Sequence, residues 1–116
     1  MKAFLIDPDN QTITEVEHNG LEDLYRLINC HTVDAVRIDA DDVIYVDDNG
    51  LYVEPQPASF SYAGNPVPLC GKGVVVGCDD EGNDDAPAHT LTSLTRRIKW
   101  LGVQDIEPVI EVYSWN

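Results

Sequence analysis

The chain has 116 residues, with seven Lys+Arg against 21 Asp+Glu, a formal net charge of −14 at neutral pH and 43% hydrophobic residues. That length implies a single domain over residues 1–116, because two cores would leave each half near the size at which disulfides or metals become necessary. So acidic a surface argues against duplex nucleic acid and anionic membranes as partners, since neutralising phosphates takes clustered cations; the apolar content argues against a disordered acidic tail.

Met1–Ile6 is too short for a signal-peptide core, and no run approaches the ~20 apolar residues of a membrane span, so the expected location is the cytoplasm. Cys30, Cys70 and Cys78 are odd in number and irregularly spaced, the pattern of reduced thiols.

In chain order, Ala3–Ile6 is an apolar run stopped by the turn formers Asp7-Pro8-Asp9-Asn10, and Thr12–Glu17 is rich in β-branched residues. Together they predict an N-terminal hairpin. Asn19 stands at a cap position with Glu22 placed to reach back, and Leu21, Leu24, Tyr25 and Ile28 keep helical spacing, which predicts a first helix over about Gly20–Asn29. Val33–Ile38, Val43–Val46 and Leu51–Glu54, joined by acidic turns that include Asp47-Asp48-Asn49-Gly50, predict a three-stranded meander. Pro55, Pro57, Pro66 and Pro68 bracket a stretch read as a long loop, because each proline removes a ladder donor.

Val74–Gly77 reads as a buried strand, and Asp79–Asp85 as an acidic loop. Thr90 is placed to cap a second helix whose stripe would be Leu91, Leu94, Ile98 and Leu101, with Gly102 as its stop. Val109–Tyr113 predicts a last strand. The fold class that results is α+β: a mostly antiparallel sheet of six or seven strands with two helices against it.

Charge is unevenly placed. Arg96, Arg97 and Lys99 cancel Asp105, Glu107 and Glu111, so residues 1–95 carry the whole −14. Carboxylates as close as Asp79, Asp80, Glu81, Asp84 and Asp85 are a candidate seat for a hard cation. The calcium-hand pattern fails there, however: with Gly82 at the turn the first ligand falls on Gly77, and with Gly50 it falls on Tyr45. The cysteines and His89 lack the close pairing of a structural zinc site, and no local signal marks a catalytic cysteine. No metal, cofactor or catalytic residue is therefore expected.

Two binding arrangements remain. Gly71, Lys72 and Gly73 offer a short glycine turn with a cation, and Arg96 and Arg97 are the cations able to join Lys72 around an anion. Alternatively Asp47, Asp48, Asp79, Asp80, Glu81, Asp84 and Asp85 form a partner-binding surface that meets a basic groove in place of nucleic acid. Plain solubility, or adaptation to high salt, would also explain such acidity. Tyr45, Tyr52, Tyr62, Tyr113, Trp100 and Trp115 are available as interface anchors.

The opening Met1-Lys2-Ala3-Phe4-Leu5-Ile6-Asp7-Pro8 with Thr12–Val16, and the later Gly71-Lys72-Gly73-Val74-Val75-Val76-Gly77 running into Asp79-Asp80-Glu81-Gly82, resemble a family of small phage- and plasmid-encoded proteins of unknown function. The helix at Leu91–Leu101 falls where that family places one. The resemblance covers most of the chain and brings no catalytic residues with it. It implies a mobile-element setting, in which short acidic proteins block host defences. The leading expectation is thus a non-enzymatic accessory protein that binds and inhibits a host defence factor through a basic surface. The alternative is a binder that sequesters a nucleotide second messenger at Gly71, Lys72, Gly73, Arg96 and Arg97. A metal-dependent hydrolase at Asp79, Asp80 and Glu81 ranks below both.

Overall fold

The structure is a computed structural model and describes residues 1–38, 42–48, 57–63, 67–79, 81 and 84–103. The N-terminal hairpin forms as the sequence predicts, from β1 (Lys2–Asp7) and β2 (Thr12–Glu17). Its turn is built by Asp7, whose Oδ1 accepts from the backbone N–H of Asp9 (3.1 Å) and Asn10 (3.3 Å) and whose Oδ2 accepts from Asn10 Nδ2 (2.8 Å). Gln11 closes the turn at φ 55°. The register pairs Ile6 with Ile13 and Ala3 with Val16, so each face of the ribbon is set by matching apolar residues. A one-residue slip would turn both sets over.

Helix α1 (Leu21–Ile28) is flanked by Gly20 at φ 134° and by Asn29 in the left-handed region. Asn19 does not cap it through its side chain; Asp23 Oδ2 instead accepts the Asn19 backbone N–H at 2.8 Å. That hydrogen bond, ahead of the attraction to Arg26, holds the Asp23 carboxyl below its usual range. Strands β3 (Val33–Arg37) and β4 (Asp42–Asp47) pair antiparallel. The third meander strand read at Leu51–Glu54, with the Asn49-Gly50 turn, and the terminal strand at Val109–Tyr113 lie outside the described residues.

Strand β7 (Gly73–Cys78) is the spine of the molecule. Phe4 and Ile44 flank Val75 from β1 and β4, and the short β8 (Asp84–Asp85) lies along Gly77 and Cys78. The main sheet runs β2-β1-β7-β4-β3, with β8 as its sixth member. Val74, Val75 and Val76 are all at 0% exposure because both faces of the sheet are covered, which is why this strand reads as a continuous apolar run. On one face Leu24 and Ile28 of α1 meet Ala3, Val43, Val74 and Val76. On the other, Phe4, Ile6, Ile44 and Val75 meet a second layer.

That second layer corrects two of the sequence expectations. The proline-bracketed stretch contains β5 (Ala58–Tyr62), β6 (Leu69–Cys70) follows it directly, and β5 is the middle strand of a three-stranded antiparallel sheet ordered β6-β5-β9, with β9 at Ile98–Val103. Pro57 and Pro68 stand immediately before these strands, so their missing N–H groups cost no ladder bond. The second helix, α2 (Leu91–Arg97), is shorter than expected: Ile98 turns extended (φ −99°, ψ 131°), and Ile98–Val103 is strand β9. Ile98 satisfies helical spacing from Leu94 and two-residue alternation with Trp100 equally well, and pairing with β5 decides between them. The Thr90 cap is present as a reciprocal box with Ser93, at 3.1 and 3.2 Å. The described residues thus hold nine strands in two antiparallel sheets and two helices, an α+β arrangement in three layers.

Glycine is required where elements approach most closely. A Cβ on Gly77 would run into the Ala86 carbonyl oxygen, which is backbone and cannot swing away. Gly77→Ala is therefore expected to lose about 1–3 kcal/mol by displacing β8. Chemical denaturation reads the loss, and faster amide exchange at Asp84 and Asp85 than at Val75 would locate it.

Candidate functional site

The pairings divide the candidate acidic residues into two groups. Ile6 and Val46 both face Gly73, so the β1–β2 turn with Asp7 and Asp9 shares one end of the sheet with Asp47 and Asp48. Asp84 and Asp85 lie along Gly77 and Cys78, and Asp79 follows directly, which puts them with Glu81 at the opposite end. Gly73 to Gly77 is four strand rises, about 13 Å. Asp80 lies outside the described residues.

At the β8 end several carboxylates are engaged locally. Asp79 Oδ1 accepts from Glu81 N (2.9 Å), Asp85 Oδ1 from Ala86 N (2.8 Å), and Asp84 Oδ1 from the Tyr45 hydroxyl (3.3 Å). Burial, and then the Asp84 charge, push the Tyr45 phenol above its usual range. Among the described residues no three His, Cys, Asp or Glu side chains converge as a metal site.

The glycine-turn grouping does not assemble as the sequence suggested. Gly71 N donates to Ala58 O at one end of β5, whereas Ala63 N donates to Arg97 O beyond its other end, both at 2.9 Å. Five strand rises, about 17 Å, separate Lys72's turn from Arg96 and Arg97. Gly73 is a packing position: a Cβ there would lie 2.9 Å from Ile44 Cγ2 and 3.2 Å from Phe60 Cζ. Gly71, at φ 82°, makes the turn that presents Lys72.

What does gather around Lys72 is acidic. A cavity of about 230 Å³ is lined by Asp9, Asn29, Asp47 and Lys72 and by the apolar Ile28, Pro57 and Cys70. Next to it, burial raises the Asp7 carboxyl, but hydrogen bonds from Asn10 and Asp9 together with the charge of Lys72 outweigh this and hold it below its usual range. Part of the Lys72 charge is thus already answered by a carboxylate of this chain.

A buried polar network had no signature in the sequence. Asp42 opens β4, Tyr62 ends β5 and His89 leads into α2; they are 1%, 3% and 7% exposed. Asp42 Oδ2 lies 2.7 Å from His89 Nδ1, and His89 Nε2 lies 3.2 Å from the Tyr62 hydroxyl. Asp42 also accepts from the backbone N–H groups of Ala88 and His89, each at 2.9 Å. A carboxylate only accepts, so His89 Nδ1 carries the proton, and a neutral ring then accepts from Tyr62 through Nε2. Enclosed in the core, this chain of groups ties the segment before α2 to both sheets. Residues 42, 62 and 89 are too far apart in sequence for spacing to reveal them.

Fold and site together define a small three-layer α+β protein with acidic sheet ends and a cavity beside Lys72. The chain belongs to the family described as a domain of unknown function, DUF3846, which matches residues 1–99. It is also 31% identical over 77 residues to an uncharacterized protein, y4iR, of Sinorhizobium fredii (strain NBRC 101917 / NGR234), a match covering 64% of this chain and 47% of that protein. The chain spans about half the length of that relative. No solved structure matches it. No helix among the described residues is long and apolar enough to cross a membrane.

Proposed function

We propose that this chain is a non-enzymatic binding protein whose acidic sheet ends dock on a basic surface of a macromolecular partner. The observation that carries this reading is the gathering of carboxylates at both ends of one sheet, beyond a span of four strand rises, with Asp47 and Asp48 at one end and Asp79, Glu81, Asp84 and Asp85 at the other. A basic groove would meet negative charge at either end of the sheet, and long-range attraction would speed the encounter. Lys2 and Arg26 sit beside Glu15 and Asp23, at 3.7 and 3.4 Å, and so do little to interrupt the field at the ends. In its finer form the partner is a host defence protein and the chain a phage or other mobile-element accessory that inhibits it in the cytoplasm. The nucleotide-sequestering alternative is less well supported, because Arg96 and Arg97 stand far from Lys72 and the carboxylates of Asp9 and Asp47 would repel a phosphate.

The test is association with a purified partner, first captured on the tagged chain from cells that carry it. Raising salt from about 0.1 M to 1 M shortens the Debye length from ~10 Å to ~3 Å, and binding should weaken at least tenfold. Duplex DNA should compete, and the triple variant Glu81→Gln, Asp84→Asn, Asp85→Asn should slow association about tenfold. Affinity that ignores both salt and these substitutions overturns the reading.

A further inference from the structure

We infer that the cavity beside Lys72 receives a single arginine side chain of the basic partner, an inference that rests on the docking reading above and names the chemistry of one contact. Size comes first. Pockets for drug-sized ligands run from about 300 to 1,000 Å³, and this one, at about 230 Å³, suits a side chain better than a nucleotide. Charge comes second. Asp9 and Asp47 outnumber Lys72 in the lining, and Asn29 marks the C-terminal end of α1, where the helix dipole favours a cation. Lys72 also acts on Asp7, outside the cavity.

The apolar part of the lining completes the match. Ile28, Pro57 and Cys70 offer surface to an aliphatic stem, while a planar guanidinium with five donors is able to engage more than one carboxylate at once. An anion would face the opposite balance. Lys72 is therefore a residue that weakens occupancy, which gives the inference a sign that anion binding cannot share.

The probe is N-acetyl-L-arginine amide, titrated into the full chain and followed by amide chemical shifts. Shifts are expected at Asn29, Asp47 and Gly71, absent with the uncharged citrulline analogue. Asp9→Asn with Asp47→Asn should weaken the probe at least tenfold, with folding checked by thermal melting, and Lys72→Ala should tighten it about threefold. If inorganic phosphate moves the same amides and Lys72→Ala abolishes that response, the cavity is an anion site and the inference is wrong. It is also wrong if the arginine probe moves nothing while partner binding stays salt-sensitive, an outcome that leaves the docking reading intact. Salt-insensitive partner binding removes the docking reading instead, whatever the probe does.

Discussion

Asp42→Ala is expected to destabilise the protein by about 3–5 kcal/mol, among the largest effects of any polar substitution in the chain. The carboxylate accepts from Ala88 N, His89 N and His89 Nδ1 in a site where it is 1% exposed. Its removal takes the acceptor from two buried His89 donors and from the part-buried Ala88 N–H, and a buried donor left without its acceptor costs about 1–3 kcal/mol before relaxation. Urea denaturation should show a lower midpoint with an unchanged slope. Tyr62→Phe removes only the hydroxyl facing His89 Nε2 and should cost about 1 kcal/mol. The diagnostic measurement is a double-mutant cycle: once Asp42 is alanine, His89→Ala should cost at least 1 kcal/mol less than it does in the intact chain. Additive losses would show that the three groups do not act as one network.

The parts of this fold that could be read from the sequence are those governed by short-range pattern. The hairpin follows from Asp7-Pro8-Asp9-Asn10 between two strand-forming runs, and Val74–Val76 announces a strand buried on both faces. Helix α1 has Leu24 and Ile28 inward as its spacing requires, although Leu21 stays half exposed. The misreadings arose where two local rules compete. Prolines flanking Ala58–Tyr62 outweighed the strand character of Ala58, Phe60 and Tyr62, whose alternation puts all three in the core. Ile98 fits two periods, and only its pairing opposite Tyr62 chooses the strand. The site was less legible still. Lys72, Arg96 and Arg97 are alike in charge, but their distance is set by the length of β5, a strand that its flanking prolines disguise. Asp42, Tyr62 and His89 meet because two sheets stack, and no sequence interval encodes that.

The second large effect tests that stacking directly. Phe60, at 0% exposure on the middle strand of the small sheet, packs with Phe4, Ile44 and Val75 of the main sheet. Phe60→Ala should cost about 3–5 kcal/mol, the lost transfer energy plus the cavity that two paired sheets cannot close. A phenylalanine on a loop would lose far less, and Val103→Ala, at a residue 72% exposed, serves as the control within about 0.5 kcal/mol. The consequence extends to the cavity beside Lys72, because Phe60 Cζ lies only 3.2 Å from where a Cβ on Gly73 would stand. Phe60 supports the strand that follows the Lys72 turn, so hydrogen exchange in Phe60→Ala should accelerate at Gly71 and Gly73 more than at Thr14 on the far edge of β2. A loss under 1 kcal/mol, or exchange raised equally at all three, would mean that the small sheet does not brace the end of the molecule where the cavity lies.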